Sequence, residues 1–432
     1  MLNDQFIVTP DDIEIWYFIE NCIKKTMNLY NFKEIRTSIL QSKVLYEKHS
    51  GFSKRYKKNQ LDHYLFNIND ENDVCLRPEG TISVLNTPII EKALKSPQKI
   101  FYQGPMFLKN KTPRTSLINQ YHQVGAEIIG SKNKISDVEI ILLAKKILSN
   151  LGFQQTHLEL SSHGCDKCYE FYLENLNDFL QYNYDTICDK CRDNLQNNIL
   201  EIYECQNSDC QNVVKMSPKS LDYFCYDCIE NFKEIKKLLS NLGIDFTINT
   251  NLLLNFDYYT RLVFRFIIKH DQQSNPENVK KDTVLIKGGR YDSLSSYLTG
   301  QILASVGFSF NIEESLHLIK ENYKPSFRKN IFTVCIGALS INMEQLILQV
   351  AQDLYSQDIK TILLENILEQ NHLNDVIIYY GCNILLLFRE DLILEGNVLI
   401  VTNDFDSDKT SHDILPLADI MNFILLKKRN FV

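Results

Sequence analysis

A chain of 432 residues is too long for one ordinary domain and predicts two or three, each able to bury its own core. Hydrophobic residues at 44% and charged residues at 23% are ordinary globular proportions, which excludes a disordered chain. A net charge of −8 excludes indiscriminate nucleic-acid binding, whose affinity comes mainly from phosphate contacts, so any RNA surface must be local.

From Asp11 to Tyr30, the residues Ile13, Trp16, Ile19, Ile23, Met27 and Tyr30 recur at three- and four-residue spacing, which predicts an amphipathic helix with Asp11 or Asp12 as its cap. Short extended runs and turns follow. Tyr64-Phe66, Val74-Leu76, Ile100-Gln103, Tyr121-Gly130 and His157-Ser161 read as strands, with a helix over Lys134 to Leu151 stopped by Gly152. From Cys165 to Cys228 the sequence turns polar and Cys-rich, and because strand-like sequence resumes at Ile244 this stretch reads as an insertion. Arg261-Ile268, Thr283-Ile286 and Ser305-Ile312 complete an α+β pattern dominated by an antiparallel sheet, and Lys320 to Lys329, with Pro325 inside it, reads as a linker. Beyond it come strand Ile331-Ile336, helix Asn342-Ser356, strand Thr361-Leu364, helix Glu369-Tyr380 and strand Ile384-Phe388, the pattern of a small α/β domain with a mixed sheet. The expected divisions are thus 1–162, 163–230, 231–324 and 330–432.

The apolar runs Ile377-Tyr380 and Ile384-Phe388 stop well short of the roughly 18 residues of a membrane helix. Met1 to Asp12 reads as neither signal nor transit peptide, so a cytoplasmic location is expected. There the twelve cysteines stay reduced, and clustered ones read as metal ligands more readily than as disulfides. Cys165-x2-Cys168, Cys188-x2-Cys191, Cys205-x4-Cys210 and Cys225-x2-Cys228 form four pairs, enough for two tetrahedral zinc sites, with buried thiols or disulfides as the alternatives. The isolated Cys22, Cys75, Cys335 and Cys382 are expected in cores. Lys54-Arg55-Tyr56-Lys57-Lys58 and Lys427-Lys428-Arg429 are either local RNA patches or a solvated loop and terminus.

Ordered blocks carry a family resemblance: Phe32-Lys33-Glu34-Ile35-Arg36-Thr37, Leu76-Arg77-Pro78-Glu79-Gly80-Thr81, Gly104-Pro105-Met106-Phe107, Tyr121 to Glu127, Asp257 to Phe264, Gly288-Gly289-Arg290-Tyr291-Asp292 and Val306-Gly307-Phe308. Together they resemble the signature blocks of histidyl-tRNA synthetases. The resemblance implies a class II aminoacyl-tRNA synthetase core, an antiparallel sheet with flanking helices, interrupted by a Cys-rich zinc insertion and followed by an anticodon-binding-like α/β domain. It further implies a homodimer that takes part in protein biosynthesis, with L-histidine and tRNA as partners and ATP with magnesium consumed if the ligase reaction operates. In the family pattern Glu79, Thr81 and Gln123 hold the ammonium and carboxylate ends of histidine, Glu127, Tyr259 and Tyr291 surround the imidazole, and Gly288 and Gly289 leave room for the ligand. An ammonium and an imidazole need carboxylates and neutral donors or acceptors, which these residues supply.

The chain departs from that pattern where ATP would sit. The family arginine after Gly-Pro-Met-Phe is Leu108, the acidic residue two further on is Asn110, the arginine before Asp-Tyr-Tyr is Leu254, and the arginine closing motif 3 is Glu314. Ser38 replaces the motif 1 proline of the dimer interface. Arg114, Arg261 and Arg290 remain, and of these only Arg114 stands where it could swing in as a substitute. Two functions follow: a histidine-binding paralogue impaired in adenylation, comparable to the regulatory subunit of ATP phosphoribosyltransferase, or a divergent working histidine-tRNA ligase.

Overall fold

Alternation of side chains along extended backbone explains the principal sheet. In strand β6 (Ile118–Ile129), Val124, Ala126 and Ile128 pack into one buried cluster, so Gln123, Gly125 and Glu127 turn to the opposite face. In the neighbouring β5 (Gln98–Lys109), Phe101 joins the same cluster while Ile100 and Tyr102 join the cluster on the other face. The computed structural model describes residues 7–46, 66–69, 74–109, 118–195, 199–252, 258–269, 282–322, 332–368, 373–404 and 409–431. Two compact units divide the chain, Met1–Lys324 and Pro325–Val432.

In the first unit, β1 (Lys33–Glu34), β5, β6, β7 (His157–Ser162), β8 (Thr247–Ile248), β9 (Thr260–Ile268), β10 (Thr283–Arg290) and β11 (Ser305–Asn311) form an eight-stranded sheet in the order β1-β5-β6-β11-β10-β9-β7-β8. Its ladders are antiparallel except the outermost, β1 with β5 and β7 with β8. Helices Ile13–Leu29, Lys134–Asn150, Tyr226–Asn241 and Ile312–Asn322 bury apolar stripes against one face. Trp16, Ile19, Ile23 and Met27 form the first of these, at the spacing read from sequence. Asp12 stands at its N-cap position but makes no capping bond, because its carboxylate pairs with Lys320 instead. Lys320 itself lies in helix Ile312–Asn322, so the helix extends into the first residues of the expected linker. The expected strand Ser305-Ile312 likewise ends one residue early, where Ile312 starts that helix.

A smaller antiparallel sheet, β2 (Leu40–Ser42), β4 (Val74–Leu76) and β3 (Phe66–Asn69), lies in the same unit. The cysteine-rich stretch folds as helices Asp166–Tyr182, Asp189–Asn194 and Ser208–Met216 around Tyr172, Leu176, Leu180 and Val213. Asn207 caps the last of these by accepting from the Asp209 and Cys210 amides.

The second unit carries a five-stranded mixed sheet, β13 (Lys360–Ile367), β12 (Thr333–Ala338), β14 (Ile384–Phe388), β15 (Asn397–Asp404) and β16 (Lys409–Pro416), in that order. β12 pairs in parallel with β13 and β14, and β15 is antiparallel to β14 and β16. Helices Glu344–Ser356 and Ile420–Arg429 cover one face and helix Leu373–Tyr380 contributes to the other. Among the isolated cysteines, Cys75, Cys335 and Cys382 are buried and Cys22 is half-buried. Of the two basic candidates, Lys54 to Lys58 lies outside the described residues, whereas Lys427 to Arg429 forms the last turn of a helix. Lys428 there donates to the carbonyls of Gln357 and Asp358 at 3.0 and 3.1 Å. Among the described residues no helix is long and apolar enough to cross a membrane.

Candidate functional site

Glu79 sits at the start of the short helix Thr81–Leu85, where its carboxylate accepts from the amides of Thr81 at 2.6 Å and Ile82 at 2.8 Å. Such N-terminal amides favour a carboxylate. Burial works against them and pushes the Glu79 carboxyl up to about 7. Gln123, on the inward face of β6, accepts from the Gly80 amide at 3.0 Å and from the Tyr102 hydroxyl at 3.2 Å.

Four residues along β6, Glu127 accepts from Thr81 Oγ1 at 2.8 Å through one oxygen and from the Tyr291 hydroxyl through the other. It is 1% exposed, and burial pushes it up to about 8, with the hydroxyls of Tyr291 and Thr81 pulling it down and the charge of Glu79 adding to the rise. Both donors are neutral. Tyr258, Tyr259 and Tyr291 pack as neighbouring rings, with centroids 4.9 Å apart for Tyr258 with Tyr259 and 5.9 Å for Tyr258 with Tyr291.

These side chains surround one small cavity, lined by Glu79, Thr81, Gln123, Glu127, Tyr258, Tyr259, Tyr291, Gly307, Phe308 and Ser309. Six of the eight residues expected from the sequence, Glu79, Thr81, Gln123, Glu127, Tyr259 and Tyr291, are therefore brought together. Gly288 and Gly289 are not in its lining. A Cβ on Gly288 would meet the Gly307 carbonyl at 2.5 Å and the Phe264 ring at 2.6 Å, and one on Gly289 would meet the Leu262 carbonyl at 2.7 Å and the Tyr259 ring at 2.8 Å. A side chain at either glycine would thus meet protein atoms. The glycine that serves the cavity directly is Gly307, where a Cβ would overlap the Glu127 carboxylate. Ser309, two residues along β11, shares that face by strand alternation. Among the described residues that line the cavity there is no lysine or arginine.

Buttresses lie behind it. The Arg290 guanidinium is 4% exposed and holds both Asp137 oxygens at 2.8 Å, together with the Ser131 carbonyl at 2.9 Å, fixing the backbone beside Tyr291. Arg77 donates to the Pro105 carbonyl at 3.0 Å and to Thr37 Oγ1 at 2.9 Å.

Of the positions that the resemblance sets against family arginines, Leu108 is half-buried in β5 opposite Asn119. Glu314 lies in the first turn of helix Ile312–Asn322, its amide donating to Asn311 Oδ1 at 3.2 Å. Loss of water around its carboxyl raises it, Lys287 pulls it back and Glu313 adds to the rise. Asn110, Arg114, Leu254 and Asp257 lie outside the described residues.

The eight insertion cysteines gather into two groups, Cys165, Cys168, Cys225 and Cys228, and Cys188, Cys191, Cys205 and Cys210, with the sulfurs of each group within 4.8 Å of one another. Neighbouring sulfurs stand 3.5 Å apart for Cys165 and Cys168, 4.0 Å for Cys168 and Cys228, and 3.7 Å for Cys188 and Cys205. All are free thiols. Backbone amides of Cys165, Cys225 and Cys188 donate to sulfurs of Cys228, Cys168 and Cys210 at 3.1, 3.1 and 3.2 Å.

Residues 46–166 match the family model described as Histidyl-tRNA synthetase. A histidine–tRNA ligase of Syntrophotalea carbinolica is 30% identical over 332 residues, 76% of this chain and 77% of that one. The chain belongs to the histidyl-tRNA synthetase family. A histidine–tRNA ligase of Halothermothrix orenii is 32% identical over 74% of this chain and 75% of its own. In fold, the chain is similar to the apo histidyl-tRNA synthetase of S. aureus, with a TM-score of 0.73 at 22% identity, covering 97% of this chain and 98% of that one. It is also similar to a Bacillus halodurans protein described as an ATP phosphoribosyltransferase regulatory subunit/histidyl-tRNA synthetase, with a TM-score of 0.56 at 16% identity over 86% and 94% of the two chains. The mixed α/β architecture, with its large sheet and second C-terminal sheet, is that of histidyl-tRNA synthetases.

Proposed function

We propose that this family member binds L-histidine in the cavity and is impaired in, or lacks, its activation by ATP. One observation carries the binding half: Glu79 and Glu127 are buried carboxyls facing one cavity whose described lining holds no cation. A buried carboxylate without a counter-charge is costly, and a ligand bearing an ammonium and an imidazole supplies what is missing. Glu79, Thr81 and Gln123 would take the ammonium and carboxylate end, and Glu127, Tyr259 and Tyr291 the imidazole. The tyrosine rings would form the apolar wall.

The impaired half rests on Leu108, Leu254 and Glu314. Adenylation builds negative charge on the α-phosphate, and arginine stabilises it because it is permanently charged and bidentate. Each lost contact of that kind costs about 3 to 4 kcal/mol, and neighbouring losses need not add. A carboxylate at Glu314 repels what the family arginine would attract. It does suit its own helix, whose first turn also carries Glu313.

A working histidine-tRNA ligase, using ATP and magnesium, is the second reading, and one observation favours it: the relatives at about 30% identity over three quarters of the chain carry that name. Histidine-dependent exchange of pyrophosphate into ATP separates the two, since it reports adenylation without tRNA. The expected result is no exchange at a synthetase's rate, with L-histidine binding intact by calorimetry. Exchange at that rate sinks the paralogue reading, and a cavity that takes no histidine sinks both.

The proposal includes structural zinc, a reducing cytoplasmic setting for the thiolates, a homodimer, and tRNA contact through the insertion and the C-terminal unit. Zinc suits the cysteine groups because a tetrahedron with Zn–S bonds of about 2.3 Å sets its sulfurs about 3.8 Å apart, close to the 3.5 to 4.0 Å seen. The amides aimed at sulfur favour thiolates, while burial pushes the Cys191 and Cys228 thiols up. A dication would let all four sulfurs of a group be ionised together.

A further inference from the structure

We infer that metal in the first cysteine group, Cys165, Cys168, Cys225 and Cys228, sets the affinity of the histidine cavity, while metal in the second group does not. This rests on the histidine and zinc readings above. It goes beyond them by joining the two sites.

The first group is bonded to the two backbone segments that carry the cavity tyrosines. Gly164 precedes Cys165; its carbonyl accepts from the Arg261 amide at 2.6 Å, and the His163 amide donates to the Arg261 carbonyl at 2.8 Å. These two bonds hold Arg261 at a φ of +55°, a conformation that side-chain-bearing residues adopt only when their surroundings impose it. The ladder between β9 and β10 slips at that point, passing from Gly289 opposite Val263 to Arg290 opposite Thr260. Tyr259, in the cavity wall, lies two residues away. His163 is 1% exposed, its Nδ1 lies 3.3 Å from the Tyr259 carbonyl, and its ring stacks on Tyr169 of the insertion at 4.6 Å. Gly164 itself has a φ of +72°, and a Cβ there would meet Cys168 Cβ at 2.7 Å, so the turn is shaped around a metal-ligand candidate.

A second link reaches the other tyrosine segment. Asp166, next to Cys165, accepts from the Ser293 hydroxyl at 2.8 Å, two residues beyond Tyr291. Ser220 Oγ also donates to the Ser162 carbonyl at 3.2 Å, tying the insertion to the end of β7. The bonds around the second group run inside the insertion: the Cys188 amide to Cys210 Sγ, and Gln211 to the Cys205 carbonyl. Four sulfurs drawn onto one ion fix Gly164 and Asp166; releasing them frees the strained Arg261 turn and the Ser293 contact, and the wall formed by Tyr259 and Tyr291 loses its setting. Coupling of this kind is reciprocal, so bound histidine must also tighten the first metal.

The test uses the full chain in three forms: wild type, Cys225→Ser and Cys205→Ser. Metal is counted by mass spectrometry and L-histidine is titrated by calorimetry. The expected result is one ion lost from each variant, histidine affinity lowered on the order of tenfold in Cys225→Ser, and affinity within about twofold of wild type in Cys205→Ser. Equal affinities in the two variants overturn the inference alone. A wild type that binds no histidine, or holds no metal, overturns the reading beneath it as well. A second measurement needs no cysteine variant: metal release from wild type to an excess of a colorimetric chelator. Saturating histidine should slow one phase of release and leave the other, with Glu127→Gln as the control for chelation by the free amino acid. Release slowed equally in both phases, or in neither, overturns the coupling.

Discussion

Glu79 and Glu127 are held by neutral donors and backbone amides, and burial keeps their pKa values near 7 and 8, well above the ordinary carboxylate range. The sign of the resulting pH dependence is opposite to that of a salt-bridged acid. Between about pH 4.5 and 8 the native state holds more protons than the unfolded chain, so stability falls as pH rises through that window and levels off above it. Scanning calorimetry without ligand should show Tm declining from pH 5.5 to 8.5, with Glu127→Gln removing the upper part of the slope and saturating histidine reducing it. A Tm that climbs across the range would refute the burial of two uncompensated acids. The same Glu127→Gln variant should bind histidine on the order of ten- to a hundredfold more weakly, from the roughly 1.5 to 3 kcal/mol of a hydrogen bond to a charged group. Gly307→Ala should do the same without replacing a polar group, since its methyl occupies the space of the Glu127 carboxylate. Six positions that line the cavity were legible as one group because each side chain has a chemistry that the proposed ligand needs. The part played by Gly307 and the filled space beside Gly288 and Gly289 were not, because they depend on what stands across the strand: Glu127 on β6, and Tyr259 and Phe264 on the segment facing β10.

Elements were easiest to read where one face is buried and one is not. Helix Ile13–Leu29 came out within two residues at its start because its apolar stripe is clean, and its cap failed because Asp12 found a cation, Lys320, some three hundred residues away. β5 was expected only over Ile100-Gln103 yet runs from Gln98 to Lys109, through Pro105. Proline cannot donate to a ladder, but β1 pairs β5 only at Ile100 and Phe101, so the outer edge at Pro105 needs no amide there. β16 has the polar run Lys409 to Asp413 and exposes Ile414 at the sheet edge, leaving no apolar alternation to detect. The cysteine insertion was legible from spacing, whereas the pairing of Cys165 and Cys168 with Cys225 and Cys228 was not, because it depends on helix Asp166–Tyr182 and helix Tyr226–Asn241 starting side by side. Its apolar core is small, so metal should supply much of its stability. Protein prepared without chelators should carry close to two zinc ions per chain. Stripping them should cost helices Asp166–Tyr182 and Ser208–Met216 their hydrogen-exchange protection while β6 and β11 keep theirs. Zinc near zero in such a preparation would refute the metal reading.

At the scale of the whole molecule, every residue lining the cavity and both cysteine groups fall within Met1–Lys324, and the second unit, Pro325–Val432, has hydrophobic clusters of its own. Val334, Ile336, Leu386, Phe388, Val398 and Ile400 pack on one face of its sheet under helices Glu344–Ser356 and Ile420–Arg429. Leu385, Leu387 and Val401 pack on the other with Leu373 and Ile377. A sheet covered on both faces and about a hundred residues long is the size at which independent cooperative folding is normal. The fragment 325–432 expressed alone should therefore unfold in urea as a single transition, seen alike by circular dichroism and tyrosine fluorescence. Leu386→Ala should lower its stability by about 2 to 5 kcal/mol, because the side chain is fully buried at the centre of β14. L-Histidine should leave the transition where it was, since a ligand stabilises only the fold that binds it. A fragment with helical content but no cooperative transition would show that its core is completed by Met1–Lys324. A histidine-dependent shift would place a binding residue outside the cavity and reopen the assignment of Glu79 and Glu127.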